Sequence, residues 1–490
     1  MKVLIHISSQ QKLFFISLID KFSRKGFEVD LLVRDKFILR FLKPYLKKRK
    51  VNNIFIEDTS SDIFDPNVKN ANQIIKKAIN FEYKYKQNIS FVMSKDRALG
   101  RGYLVNVDKY VEIERANWKQ TKKLKYFFHI FDDVEKIILK SNPKAIVSVS
   151  RSTNISIIAE KKNIKYLTMA SARIGARYYW SDNSFNTNQD IISKVKKKFN
   201  SNIDSKIKFE KIKESVDAHA RIKYDLSSTL KSVFLQLIRE LKLTILGSRK
   251  KFSYVFMGWA KFSINRYFMY KFVTKKSTKF IEIKKKKFIY VPLHLEPEIA
   301  LIGLSPEFTN SIEMITWLSK SVPADFLIVV KEQPYAYGSR SSWYYKSLMQ
   351  MPNVVLAEPK INPWLLIKKC FCVATITGST AIEAVNMNKP VLSYGVHQIV
   401  NYLPTVKYCS NYFSTKKNID YLVNNKINKK KFQYSKNILI NSIYKSSFEV
   451  VEYSQSYDDL STVNSGEKYI KNIDNSSKTA FAILCKILNV

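Results

Sequence analysis

The sequence predicts an α/β protein with two tandem doubly wound, Rossmann-like domains and a basic helical insertion between them. Three observations predict this fold. Strand-like apolar runs alternate with helical patterns in residues 1–190, the same alternation returns in residues 287–415, and the stretch between them is basic, aromatic and poor in strand patterns. Alternating strands and helices favour parallel sheets covered on both faces. A chain of 490 residues also exceeds one compact core and should divide into two or three domains.

The first predicted domain, residues 1–190, begins with a strand, a helix and a second strand. Gly26 follows the helical pattern and suits a helix C-cap. The first turn lacks the glycine-rich dinucleotide fingerprint, which argues against an NAD domain. Residues 67–140 are expected to be mostly helical. The remaining predicted elements are Lys2–Ile7, Phe27–Val33, Lys144–Ser150 and Ile164–Ala170 as strands, and Leu13–Lys25 and Asn154–Lys162 as helices.

Positive charge is concentrated in the predicted insertion, residues 191–286. The whole chain carries 83 Lys+Arg against 41 Asp+Glu, a net charge of +42, and residues 191–290 hold 26 against 7. Biased base composition of the coding sequence explains the average excess as readily as selection for polyanion binding does, but explains the clustering less well. Residues 226–272 mix apolar and basic side chains in the pattern of two amphipathic helices, which is typical of interfacial membrane helices. The alternative is a solvated lysine face on helices packed against the protein.

The second predicted domain, residues 287–415, repeats the strand and helix alternation, and the tail 416–490 is expected to be helical in part. Its strands are expected to end in polar residues, which is where ligands bind in open α/β sheets. The predicted elements are Phe288–Leu293, Phe326–Lys331, Val354–Ala357, Cys370–Thr375 and Pro390–Tyr394 as strands, and Ser311–Lys320, Pro363–Lys369 and Ser379–Val385 as helices.

Several classes of protein are disfavoured by the bulk properties. The amino terminus reads as a strand rather than a signal peptide, and no stretch has the length and apolarity of a membrane-spanning helix. Four cysteines in this length make no disulfide framework and suggest buried thiols in a reducing compartment. No nucleic-acid-binding module is recognisable, so no specific nucleic acid is expected as a partner. We therefore expect a cytoplasmic protein, with peripheral contact at the inner face of the cell membrane.

The strongest local signal is the run Thr377-Gly378-Ser379-Thr380, where a predicted strand ends and a helix begins. Peptide N–H groups at such a turn, together with two hydroxyls, form an anion site suited to a nucleotide phosphate. Glu383 lies one turn into the helix and is a candidate for hydrogen bonds to ribose. The alternative is a capping box with Thr380 as the cap and Glu383 as its N3 residue.

Two further strand ends carry polar residues that can do chemistry. Lys331 and Gln333 follow an apolar strand and are candidates for contact with a phosphate or a base edge; the alternative for Lys331 is a solvated loop lysine. His294, Glu296 and Glu298 follow another strand and are candidates for general acid/base catalysis. A lone histidine is also commonly structural.

The first domain offers candidates for an acceptor-binding or anion-binding clamp. Arg173 and Arg177 follow the strand at Ile164–Ala170, and Ser9 follows the first strand. Ordinary loop residues are the alternative for all three. No Asp-x-Asp motif stands at a strand end, so no metal site and no cofactor are expected.

Taken together, these segments resemble the capsule polysaccharide biosynthesis family, which includes Kdo transferases and related surface-carbohydrate glycosyltransferases. The segments are SARIGARYYWSDN at 171–183, YVPLHLEPE at 290–298, VVKEQP at 329–334 and TGSTAIEAVNMNKPVLSYG at 377–395. The resemblance implies the two-domain GT-B architecture, Ser379 and Thr380 at the donor phosphate, and Glu298 or Glu296 near the reacting centre. The family's usual Lys-x-His-Pro stands here as Lys331-Glu332-Gln333-Pro334, and the missing histidine leaves the donor nucleotide open.

The sequence therefore predicts a metal-independent GT-B glycosyltransferase. It is expected to transfer a sugar from a nucleotide-activated donor, with a CMP-linked sugar as one candidate, to a capsule or other surface polysaccharide or its lipid anchor. The competing hypothesis is a non-catalytic glycan-binding or membrane-binding assembly protein that retains the fold, and Gln333 in place of histidine favours it.

Overall fold

A computed structural model describes most of the chain, in two compact units. The first unit comprises Met1–Val92, Lys119–Ser193 and Ser442–Val490, and the second comprises Met93–Trp118 and Lys194–Asn441. Each unit is built on its own sheet, and each is described by itself. The structure describes residues 1–8, 11–47, 49–57, 64–96, 99, 114–183, 185, 187–197, 223–245, 256–296, 299–425, 428–450 and 467–490.

The first unit contains a seven-stranded sheet with the order β13-β6-β5-β4-β1-β2-β3, in which β13 is Phe448–Glu449. Strands β1 to β5 are parallel, and β6 and β13 extend one edge in antiparallel pairing. The parallel part has the strand order of a Rossmann fold, whose order reverses between β1 and β4. The elements up to residue 196 are β1 Lys2–Ile7, α1 Lys12–Arg24, β2 Glu28–Val33, α2 Lys36–Leu46, β3 Asn53–Ile56, α3 Ala71–Tyr85, α4 Ile89–Ser94, α5 Gln120–Ser141, β4 Ala145–Ser148, α6 Thr153–Lys161, β5 Lys165–Ser171, β6 Arg177–Ser181 and α7 Gln189–Lys196.

The carboxyl-terminal helix completes the core of the first unit. Helix α1 buries Phe14, Phe15 and other apolar side chains that recur at helical spacing. The carboxyl-terminal helix packs along α1, where the Ser17 and Ser477 hydroxyls are 2.8 Å apart. The indole N–H of the fully buried Trp180 donates to the Ala480 carbonyl at 3.0 Å. The last 49 residues, Ser442–Val490, are therefore part of the first unit although they follow the second in sequence.

The second unit contains a six-stranded parallel sheet with the order β12-β11-β10-β7-β8-β9. From the middle, the chain runs β7, β8, β9 to one edge and β10, β11, β12 to the other, which is again the Rossmann order. The elements from residue 226 are α8 Leu226–Ile245, α9 Phe256–Lys276, α10 Phe280–Ile283, β7 Lys287–Pro292, α11 Ile299–Leu304, α12 Ile312–Ser319, β8 Phe326–Lys331, α13 Ser342–Met349, β9 Val354–Leu356, α14 Pro363–Lys369, β10 Cys372–Thr375, α15 Thr380–Asn386, β11 Val391–Ser393, β12 Val406–Tyr408, α16 Tyr412–Asn424, α17 Lys429–Ser446, β13 Phe448–Glu449 and α18 Glu467–Leu488.

The two Rossmann-like sheets confirm the predicted fold class. The predicted strands agree with β1, β2, β4, β5, β7, β8, β9, β10 and β11 to within about two residues at each end, the usual scatter of element boundaries. The two helices expected within residues 226–272 are α8 and α9, and both belong to the second unit. Residues Arg177–Ser181, for which the sequence analysis predicts no strand, form strand β6. In the described residues, no helix is both long and apolar enough to cross a membrane.

Candidate functional site

The second sheet reverses its strand order between β7 and β10, and polar side chains gather at that point. In doubly wound sheets, ligands bind outside the carboxyl ends of the strands at such a switch point, because the two connections leave in opposite directions and open a crevice. His294 lies two residues beyond β7, and Thr375 is the last residue of β10. The sequence could place these residues at strand ends but could not show that the two strands are neighbours.

His294 is the central side chain of this cluster. It is 6% exposed, and its Nε2 lies 3.4 Å from Thr375 Oγ1 and 3.4 Å from the peptide nitrogen of Thr377. A peptide N–H can only donate, so this contact makes Nε2 an acceptor and places the proton of a neutral ring on Nδ1. Contacts of this length are at the long limit of a hydrogen bond, as is common at sites that tighten when a ligand binds.

Gly378 lies in the turn beside His294, and the space around it excludes a side chain. A Cβ at this position would lie 2.8 Å from Thr375 Oγ1 and 3.5 Å from His294 Cε1. The peptide N–H of Gly378 donates to Thr375 Oγ1 at 3.2 Å, which draws the turn against β10. Glycine is therefore required here by close packing and not by its backbone angles.

The turn leads into the short helix α15, which begins at Thr380 and has Ser379 as its N-cap. No side-chain cap hydrogen bond forms, so the alternative of a capping box with Thr380 as the cap is wrong. Instead, Ser379 Oγ donates to the Glu383 carboxylate at 3.4 Å. Burial raises the pKa of Glu383, and the Ser379 hydroxyl opposes that shift. Within the described part of the chain, the peptide N–H groups of Ser379 and Thr380 have no protein acceptor.

A buried arginine joins the loops that follow β7 and β8. The Arg340 guanidinium donates to Glu332 Oε2 at 2.6 Å and to the carbonyl oxygen of His294, and it lies 3.2 Å from Glu296 Oε2. Arg340 and Glu296 are fully buried, and Glu332 is 5% exposed. Tyr345 adds a 2.7 Å hydrogen bond to Glu332 Oε2. We call Arg340, Glu296 and Glu332 the buried ionic triad.

The buried ionic triad includes Glu296, which the sequence predicts as a catalytic residue. Burial raises the pKa of the Glu296 carboxyl, while Arg340 opposes that shift. Ser311 donates a hydrogen bond to Glu296 Oε1 at 3.0 Å. Glu296 is therefore held in the interior by two partners. Sequence spacing had placed it beside His294 as an equal candidate and had not singled out Arg340, which reads as a surface-loop arginine.

The predicted donor-binding residues after β8 lie in different environments. Lys331 is 3% exposed, and its ammonium donates to the Pro359 carbonyl at 2.7 Å. This excludes the alternative of a solvated loop lysine. Gln333 is exposed, and its peptide N–H donates to Glu332 Oε1 at 2.6 Å. Of the other predicted site residues, Glu298 and Ser9 lie outside the described residues.

The two arginines predicted as a clamp differ in what they contact. Arg177 begins β6 and stacks over the Tyr444 ring at 4.2 Å. Its guanidinium also donates to Ser447 Oγ and to the Ser447 carbonyl, both at 2.8 Å. These contacts hold the carboxyl-terminal segment of the first unit and occupy most of its donors. Arg173 is half-buried in the preceding turn, with a backbone φ of 57°.

The first unit holds a second buried cluster that the sequence interpretation missed. His6 Nδ1 lies 2.9 Å from Ser148 Oγ, and Ser148 donates its own proton to the Ser150 carbonyl at 2.8 Å. His6 therefore carries its proton on Nδ1, and its Nε2 lies 3.8 Å from Glu57 Oε2. Burial lowers the pKa of His6 to about 4 and raises that of Glu57 to about 7. In the sequence, His6 is recognisable as a polar residue within the apolar run of β1.

Comparison with known proteins shows which proteins this chain is similar to. Among solved structures, the chain is similar to KpsC, the beta Kdo 2,7 transferase of Thermosulfurimonas dismutans, at 14% identity and a TM-score of 0.34, covering 73% of this chain and 97% of that one. It is also similar to a glycosyltransferase of Rickettsia africae at 11% identity and a TM-score of 0.29, covering 99% and 98%.

A third similar structure is the UDP-GlcNAc 2-epimerase of Neisseria meningitidis bound to UDP-GlcNAc, at 12% identity and a TM-score of 0.29, covering 99% of this chain and 100% of that one. No curated protein matches the chain significantly in sequence. The model of the capsule polysaccharide biosynthesis protein family matches residues 248–398. This range contains α9, the strands β7 to β11, the buried ionic triad and the cluster at the switch point. As the sequence motifs predicted, residues 248–398 are similar to capsule polysaccharide biosynthesis proteins.

Proposed function

We propose that the protein is a glycosyltransferase of capsule or other cell-surface polysaccharide synthesis, and that the switch point of its second sheet binds the phosphate of a nucleotide-activated sugar. The observation that carries the proposal is the cluster of His294, Thr375 and the 377–380 turn at the switch point between β7 and β10. A ligand placed there meets hydroxyls, peptide N–H groups and one imidazole within a family-matched segment.

Each residue of the cluster has a proposed role. The peptide N–H groups of Ser379 and Thr380 and the Ser379 hydroxyl bind the donor phosphate, because they are donors at the mouth of the crevice. Glu383 accepts hydrogen bonds from ribose hydroxyls. His294, with an acceptor nitrogen at the switch point, is the general acid/base, and Glu298 is kept as a second candidate. Lys331 and Gln333 border the same sheet edge and are proposed to act on the donor from the β8 side.

The chemistry is proposed to need no metal ion, because the sequence offers no Asp-x-Asp motif at a strand end. Charge that develops on the leaving phosphate would then be met by the N–H groups of the turn. The acceptor is proposed to be a growing glycan or its lipid anchor at the inner face of the cell membrane, and Arg173 is proposed as an acceptor-binding residue. Turnover that persists in the presence of a metal chelator would support a reaction that needs no metal ion.

The phosphate site is tested by donor affinity. Calorimetry with CMP-, UDP- and GDP-sugars should identify one donor, and Ser379→Ala should weaken its binding by about ten- to hundredfold, because a hydrogen bond to a charged group contributes about 1.5–3 kcal/mol. Ser347→Ala is the matched control, since its hydroxyl donates to the Trp343 carbonyl within the same helix α13. Equal donor affinity in both variants would place the phosphate elsewhere.

Catalysis is tested separately from binding. His294→Gln preserves an acceptor nearby but removes a titratable group, so donor binding should persist while nucleotide release in the presence of acceptor falls by about a hundredfold or more. A wild-type protein that binds a nucleotide sugar but never turns it over would instead support a non-catalytic assembly protein, which is the role that Gln333 in place of histidine favours.

A further inference from the structure

Helices α8 and α9 pack against each other and expose apolar side chains on the surface of the second unit. At 3.6 residues per turn, seven apolar residues of α8 fall within an arc of about 120°. All of them are exposed, by 39% to 82%. These residues are Leu226, Leu230, Phe234, Leu237, Ile238, Leu241 and Ile245. We call this arc the apolar stripe.

Basic side chains border the apolar stripe on one side. Lys231, Arg239 and Lys242 are exposed and follow it around the helix, whereas the opposite side of α8 carries the half-buried residues that face α9. Helix α9 exposes Met257, Ile264 and Phe268 in line with exposed lysines at 261, 271 and 275. The two helices together carry eight basic residues and one acidic residue. An apolar stripe bordered by cations is the pattern of a helix that lies in the interface of a bilayer.

The helix pair is firmly seated on the second unit. The Tyr224 ring, just before α8, stacks on Tyr270 of α9 with centroids 3.9 Å apart, and its hydroxyl donates to the Pro334 carbonyl at 3.0 Å. Gly338 approaches α9 so closely that a Cβ would lie 2.7 Å from the Phe262 carbonyl oxygen. The exposed face is thus held by contacts on the opposite side, and it is not a loosely attached segment.

We propose that the apolar stripe of α8 and the adjoining exposed face of α9 bind the surface of an anionic lipid bilayer. The side chains of the stripe insert among the acyl chains near the headgroups, while the lysines and Arg239 contact anionic headgroups. The charge of the pair selects this occupant, because eight basic residues favour a negatively charged surface. The consequence of membrane binding rests on the proposed function: binding would hold the second unit beside a lipid-linked acceptor.

Vesicle sedimentation of the full chain tests this surface. Wild-type protein should bind vesicles of equal phosphatidylcholine and phosphatidylglycerol, bind phosphatidylcholine vesicles weakly, and lose binding as salt rises. Replacing Lys231, Arg239 and Lys242 together by glutamine should weaken binding by about a hundredfold, at about fivefold per charge. The matched control replaces Lys284, Lys285 and Lys286, which are exposed in the turn before β7, and should bind as wild type does.

The apolar contribution is tested with a second pair of variants. Leu230→Ser, Phe234→Ser and Leu241→Ser combined should reduce vesicle binding at least a hundredfold, since each loses a large apolar contact. The control combines serine substitutions at three exposed apolar positions of the first unit, Ile79, Tyr83 and Leu139. Equal binding to neutral and anionic vesicles, or binding that survives the stripe substitutions, would overturn the inference.

A second copy of the chain is the other occupant of the apolar stripe that the experiment can reveal. If wild-type protein forms a dimer that the stripe substitutions dissociate, and neither protein binds vesicles, then a second copy covers the stripe and the proposal is wrong. Donor binding, measured by calorimetry without vesicles, separates this outcome from a failure of the proposed function. Vesicle binding without any nucleotide-sugar binding would support the membrane-binding surface and contradict the proposed glycosyltransferase function.

Discussion

Replacing Arg340 by methionine should destabilise the second unit strongly. The guanidinium is fully buried, donates to Glu332 at 2.6 Å and lies 3.2 Å from Glu296, so its removal leaves two buried carboxyls without their cation. Burial alone would lower the pKa of Arg340, but Glu332 and Glu296 raise it well above its usual value. Removing one partner of a buried ion pair typically costs about 3–5 kcal/mol, because the remaining charge is uncompensated.

Hydrogen exchange measures the loss of stability in the second unit itself. Peptides that cover β7 and β8 should exchange about a hundred- to a thousandfold faster in Arg340→Met if opening of the second unit controls their exchange. Lys416→Met is the matched control, since its ion pair with Asp420 in α16 is about half exposed on both sides and 3.2 Å long. An exposed pair of this kind contributes about 0.5 kcal/mol or less, so the control should exchange almost as wild type does.

A compensated variant decides whether charge is the cause. In Glu296→Gln combined with Glu332→Gln and Arg340→Met, the amides still accept from Ser311 and Tyr345 but carry no charge. This triple variant should recover at least half of the lost protection, because neutral replacement of a buried ionic group is often tolerated. Arg340→Met that behaves like the Lys416 control, or a triple variant no more protected than Arg340→Met alone, would refute the reasoning.

Three further variants test packing and ionisation. Gly378→Ala should lower donor affinity about tenfold or more by calorimetry, because its methyl group would crowd Thr375 Oγ1 at 2.8 Å; unchanged affinity would remove the turn from the site. In urea unfolding, the free energy of unfolding of Glu57→Gln should equal that of wild type near pH 4 and exceed it by up to about 3 kcal/mol above pH 7. The raised pKa of Glu57, about 7, makes wild type lose stability between about pH 4.5 and 7. A pH-independent difference would contradict this. Gly338→Ala should cost about 2 kcal/mol or more, seen as faster exchange in α9, since φ is +92° and Phe262 is too close; unaltered exchange would argue against tight seating of the helix pair.

Much of the fold followed from local patterns, and the errors have local causes. The apolar runs of β1, β2, β7 and β8 are long and end in polar residues, so their bounds were predictable. Strand β6 was missed because it begins with Arg177 and follows a turn with one arginine and one glycine, which reads as a loop. Strands β3, β12 and β13 were also missed, since two to four residues are too few to show a period.

The site was less predictable because it depends on which strands are neighbours. His294 and Thr375 are 81 residues apart, and only the pairing of β7 with β10 brings them to 3.4 Å. Arg340 had no sequence signal of burial, since it stands among glycine and serine after a turn. Its burial follows from two carboxylates that lie 8 and 44 residues before it, and periodicity carries no information on such a contact.

His294 and Glu296 are close in sequence but lie in different environments. A carboxyl with a raised pKa is what a general acid needs, but Glu296 is fully buried and is held by Ser311 and Arg340. Its raised pKa is explained by burial in the triad and needs no substrate. Arg340 in turn donates to the carbonyl oxygen of His294, so the triad holds the backbone on which the imidazole stands. If His294 contacts the donor as proposed, Glu296 would act through Arg340 as a positioning residue. Glu296→Gln should then alter the affinity for donor less than it alters the stability of the second unit, and a loss of turnover at unchanged stability would instead identify Glu296 as the acid.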